Sequence, residues 1–130
     1  MSHFSEVKTQ LKSKPLLKKA LTSLGYKVSE GIGADVRGFF GETQKADFKI
    51  STSSDYDIGF KKNQSGHYEL VGDWDLLPKV SGINQQQFLN SVSRAYATTA
   101  IQEVAKEKGY DLEINVDQEE QTTEIVVRQW

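Results

Sequence analysis

Four carboxylates are the first residues in this 130-residue chain whose types and spacing could do chemistry. Asp55 and Asp57 flank a tyrosine in "DYD"; Asp73 and Asp75 flank a tryptophan in "DWD". Between the triplets lies "NQSGH", a three-residue hairpin-loop signal with Gly66 at the left-handed position. With Gln64–Ser65–Gly66 as the loop, Phe60 faces Leu70, Lys61 faces Glu69 and Lys62 faces Tyr68. Tyr56, Ile58, Phe60, Tyr68, Leu70 and Trp74 then share an apolar face. Continued outward, the same register sets Asp57 against Asp73 and Asp55 against Asp75. Like charges directly opposite are unfavourable, so something must relieve them. A hard cation such as Mg²⁺ or Ca²⁺ would take these oxygens. Carboxylates standing off a sheet diverge, however, and His67 lies ~20 Å along the strand from Asp73. The favoured expectation is that the aspartates end the strands and cap the turn into "LLPKV". A metal site at Asp55, Asp57, Asp73 and Asp75 is the alternative.

Other chemistries find fewer residues. There is no cysteine, which excludes disulfides, zinc–thiolate sites and cysteine nucleophiles. His3 and His67 are the only imidazoles, and neither sits in a triad motif. "GIGADVRG" has Val36 where a dinucleotide fingerprint needs Gly or Ala, and reads as a turn. No cofactor is implied by motif, and an enzyme is not the favoured reading.

Charge is unevenly spread about a net −2. Residues 1–27 carry six lysines against Glu6, whereas residues 101–130 are strongly acidic. Lys12, Lys14, Lys18 and Lys19 could steer or contact an acidic protein partner. Nucleic acid is disfavoured, because the chain has only three arginines and no basic excess. Trp130, at the last position, is a candidate contact anchor.

These residues need elements to position them. Residues 3–10 read as a strand. A helix follows, with Pro15 in its first turn and an apolar stripe of Leu17, Ala20, Leu21 and Leu24. Gly25 supplies a left-handed cap and Tyr26 a Schellman-type contact. A second helix starts at Asn84, with the stripe Leu89, Val92, Tyr96, Ala100 and Val104, and ends at Gly109–Tyr110. "VRGFFG" and "ADFKIS" look like paired strands. Two final strands alternate, and pairing Glu113 with Arg128 puts Leu112, Ile114, Val116, Ile125 and Val127 on one face. The predicted fold is α+β: one domain over residues 1–130, an antiparallel sheet of about six to seven strands, and two helices packed on one face. "MSHFSEVKTQ" lacks the apolar core of a secretory signal, and no apolar run approaches the ~20 residues needed to span a bilayer. The chain is therefore expected to be soluble.

Several segments together resemble a known family. "MSHFSEVKT", "VRGFFG", "YDIGF", "YELVGDWD", "AYA" and the closing "VVRQW" are similar, in order, to the hypothetical chloroplast reading frame thirty-five family. The resemblance spans nearly the whole chain. It brings no catalytic residues. It implies a photosynthesis-linked or housekeeping role in the plastid stroma or the cyanobacterial cytoplasm, and protein partners, with a ferredoxin-like protein or an ATPase as the implied kinds. The expectation is a non-enzymatic accessory protein that binds another protein as an assembly or regulatory factor. A metal-dependent enzyme or metal-binding domain using the aspartates, or a small-molecule-binding domain with a pocket between helix and strands, are the alternatives.

Overall fold

The computed structural model describes residues 4–31, 35–38, 43–117 and 122–128. The chain opens with edge strand β1 (Ser5–Lys8). Thr9 then turns it off the sheet: its hydroxyl donates to the Tyr68 carbonyl at 2.6 Å and accepts the Leu11 N–H at 3.1 Å. Helix α1 (Lys14–Ser23) starts where Ser13 Oγ accepts the Leu16 N–H, with Pro15 in the first turn as predicted. It buries Leu17, Ala20 and Leu21. At its end the Tyr26 N–H reaches the Leu21 carbonyl and the Gly25 N–H reaches Thr22, the two bonds of a Schellman motif. Gly25 supplies the required positive φ of 92°.

The central sheet has the order β1-β7-β6-β5-β2, all antiparallel, with β2 (Val28–Glu30), β5 (Phe48–Ser51), β6 (Asp57–Lys62) and β7 (Tyr68–Gly72). The β6–β7 register is the expected one, with Phe60↔Leu70, Lys61↔Glu69 and Lys62↔Tyr68. One face of the sheet presents Phe48, Ile50, Ile58, Phe60, Tyr68 and Leu70 to Leu17 and Leu21 of α1 and to Phe88 and Val92 of α3 (Gln85–Lys108). Phe48 and Phe60 stack at 4.9 Å, and Phe88 joins Phe60 and Trp74 at 6.4 and 6.1 Å. Asn84 caps α3 by accepting the Gln86 and Gln87 N–H groups. The fold is α+β, with α1 and α3 on one face of the sheet.

Five findings differ in detail from the sequence expectations. Among the described residues nine strands divide into the five-stranded sheet and two hairpins. β3 (Asp35–Arg37) pairs with β4 (Thr43–Lys45), while "ADFKIS" pairs with β2 and β6. A short helix, α2 (Leu77–Ser81), fills the turn after the second aspartate triplet. In the final hairpin, β8 (Asp111–Asp117) and β9 (Thr122–Arg128) pair Asp111 with Arg128 and Glu113 with Val126. That register differs from the expected one by two residues, and a shift of two preserves the odd–even partition of the strands. Finally, Val104 is 48% exposed. A stripe stepped every four residues drifts about 40° per step, so Val104 sits roughly 120° around the helix from Val92.

Candidate functional site

The four aspartates have three different fates. The β6–β7 ladder stops at Gly59↔Val71, because the chain leaves the sheet after Gly72 and turns into α2. The two opposed acid pairs therefore do not form, and Asp57 lies opposite Ser51 of β5 instead. Asp73 is 1% exposed. Its Oδ1 accepts the Leu76 N–H at 3.3 Å and its carbonyl accepts the Leu77 N–H at 2.9 Å, which is the capping role expected of it. Asp55 and Asp75 are exposed. Among the described residues no group of three or more histidine or acidic side chains is arranged to hold a metal ion.

Asp57 is fully removed from solvent. The opposite face of the sheet, expected to be wet, is covered at this end by the β3–β4 hairpin. Val36 of β3 is fully buried against Gly59. A Cβ on Gly59 would overlap the Val36 methyl and sit 2.9 Å from Ala46 Cβ, so only glycine permits this approach. The hairpin brings Arg37 onto Asp57: Nε donates to Oδ2 at 2.8 Å, Nη2 to Oδ1 at 2.9 Å, and the Arg37 backbone N–H to Oδ2 at 2.9 Å. Lys49 donates to Oδ2 at 3.0 Å and to the Asp35 carbonyl at 2.8 Å. Burial pushes the Asp57 carboxyl upward most strongly, but Arg37 and Lys49 together outweigh it and hold it below its ordinary value. Asp57 is thus the tie that fastens β3 to the sheet. No local pattern announces this contact, because Arg37 and Asp57 are twenty residues apart on different sheets.

The lysines of α1 are mostly engaged. Lys14 and Lys18 both reach Glu30, at 2.7 and 2.8 Å, and hold its carboxyl at about 2. Lys19 pairs with Glu103 of α3. Lys12 is exposed, with no acid partner among the described residues. His67 sits in the hairpin, its Nδ1 3.3 Å from Ser65 Oγ. Trp130 and His3 lie outside the described residues.

Two surface features went unnoticed in the sequence. The first is an open cleft of about 560 Å³ where the start of α1 meets the end of the sheet, lined by Lys14, Glu30, Gly31, Asp47, Lys62 and Tyr68. The second lies on α3, opposite its buried face: Ala97, Ile101 and Val104 are exposed, Ile101 by 37%. At helical spacing Arg94 and Lys108 bracket this stripe, and neither has an acid partner within ion-pair distance among the described residues. The amphipathic period in the sequence could have found the stripe, had Phe88 and Val92 been used to define the inner face.

The chain is an α+β sheet domain in which the buried Asp57 carboxylate serves as a structural tie. The chain belongs to the family described as a protein of unknown function (DUF1257), whose model matches residues 20–126. It is similar over its full length to proteins named uncharacterised protein ycf35. The one from Guillardia theta is 31% identical over 132 residues, covering 100% of this chain and 98% of the relative. Those from Cyanophora paradoxa and Pyropia yezoensis are 29% and 28% identical, with the same coverage. The expected resemblance is thus confirmed, and these relatives are plastid-encoded. No solved structure matches the chain. No helix among the described residues is long and apolar enough to cross a membrane.

Proposed function

We propose that this protein is a non-enzymatic accessory factor that binds another protein, acting in the plastid stroma or the cyanobacterial cytoplasm in support of photosynthetic or housekeeping metabolism. One observation carries this reading: the exposed Ala97–Ile101–Val104 stripe on α3, bracketed by Arg94 and Lys108. An apolar strip with a cation at each end complements an amphipathic segment whose apolar residues are flanked by carboxylates. The occupant we commit to is therefore an acidic amphipathic helix of a partner protein. Lys12 adds a cation that such a partner would meet on approach. The engagement of Asp57, Glu30 and Glu103 in internal ion pairs favours binding over general acid–base work.

The test compares captures from a cyanobacterial lysate by the wild-type chain and by the double variant Ile101→Asp/Val104→Asp. The expected result is one acidic protein retained by the wild type, lost with the double variant and weakened by added salt. Capture undiminished by the substitutions would refute the stripe as the contact. Trp130→Ala and Lys12→Glu, run alongside, ask whether either residue contributes.

A further inference from the structure

Tyr68 lies at the floor of the cleft beside α1. Its ring is in the core, edge-on to Phe48 at 5.5 Å, and the residue is only 3% exposed. The residue nevertheless lines the cleft, and its hydroxyl makes no hydrogen bond among the described residues. A ligand atom entering the cleft could replace the water that hydrates this phenol.

The walls are built with both signs of charge. On one side Lys14 is paired with Glu30. On the other, Asp47 uses Oδ2 to accept the Lys62 backbone N–H at 2.7 Å, while its second oxygen has no donor among the described residues. The Lys62 ammonium stands 5.8 Å from the centroid of the Tyr68 ring and has no carboxylate within ion-pair distance among the described residues. The residues that carry this unpaired ammonium, half-used carboxylate and phenol line the same cleft. The cleft volume falls in the range of small-molecule sites, about 300–1,000 Å³.

We propose that this cleft binds a small zwitterion of the α-amino-acid type, its carboxylate on the Lys62 ammonium and the Tyr68 hydroxyl and its ammonium on Asp47. A simple anion would leave Asp47 repelling it, and a simple cation would leave Lys62 doing the same; a zwitterion satisfies both groups at once. Burial, and then the nearby Asp47 charge, push the Tyr68 phenol above its ordinary pKa, which keeps it a neutral donor at physiological pH.

The experiment titrates the full chain with glycine and with L-glutamine while the Tyr68 ring signals are followed by NMR. Acetate, methylammonium and inorganic phosphate serve as the half-ligand probes. A saturable shift with the amino acids at millimolar concentration, and none with the three probes, is the expected result. Lys62→Gln and Asp47→Asn should each weaken binding roughly tenfold or more, and Tyr68→Phe, which leaves the ring packing in place, should weaken it less. Three results would overturn the proposal: no saturable shift with either amino acid, saturation by phosphate or acetate alone, or affinity unchanged in both charge variants. The Ile101→Asp/Val104→Asp chain should bind the amino acid normally, so this inference and the protein-binding reading fail separately.

Discussion

Asp57 and Glu30 hold the same constellation in two settings. Each carboxylate is gripped by two cations at 2.7–3.0 Å: Asp57 by Arg37 and Lys49, Glu30 by Lys14 and Lys18. Asp57 has no solvent exposure, and its partners come from two other strands. The Glu30 side chain is 42% exposed, and both its partners sit on the adjacent helix. Water screens the second arrangement and is excluded from the first. The comparison teaches that contact geometry alone does not rank an ion pair; the surroundings do.

The comparison can be broken most forcefully at Asp57. Asp57→Asn removes the charge but keeps the shape. It should cost about 3 kcal/mol in urea unfolding, the lower end for a broken buried pair, because Arg37 is part-exposed and can rehydrate. A loss no larger than that of Glu30→Gln would contradict the assignment of Asp57 as the tie for β3.

Gly59→Ala attacks the same junction by volume. The added methyl meets Val36 and Ala46, so about 1–3 kcal/mol should be lost. Combined with Asp57→Asn, the two losses should fall short of additive, since both release the β3–β4 hairpin. Strict additivity would show that the hairpin does not leave as a unit.

Acid titration sharpens the contrast further. Both carboxyls are held below their ordinary values in the folded state. Each therefore contributes stability above its unfolded pKa of about 4 and loses it as pH falls through the folded value. For Glu30 that loss runs down through about pH 2. Urea midpoints measured from pH 7 to pH 2 should fall, and Asp57→Asn should flatten that fall more than Glu30→Gln does. The reverse order would mean that the exposed pair dominates.

The smallest effect belongs to Glu30→Gln at neutral pH. Thermal melts should show the least destabilisation of the series, and added salt should erase it, because exposed charges are screened within about 10 Å at 0.1 M. A salt-resistant loss would point to a contact beyond the two lysines.

Much of this contrast was invisible beforehand, although a good part of the scaffold was not. The β6–β7 register followed from Gly66 and the alternation around it. Pro15 and Asn84 marked helix starts, and Gly25–Tyr26 and Gly109–Tyr110 marked the ends. Even the capping role of Asp73 followed from its place before "LLPKV". Two local features were missed, the short helix α2 and the register of the final hairpin, and extrapolation beyond a local unit failed as well. The ladder was continued past the point where β7 turns into α2, and this created acid pairs that do not exist.

Much of the local structure in this protein was legible from sequence alone, because turn chemistry, caps and period-two alternation act among neighbours within a few residues. The tertiary structure decided which face of the sheet stays wet. β3–β4 lands on β6 through Val36 and Gly59, and that contact turns Asp57 from an exposed acid into a buried tie. The Lys62–Asp47–Tyr68 cleft has the same origin: β5, β6 and β7 meet there against the start of α1. Such meetings depend on how separate elements pack, and periodicity along one element carries no record of them.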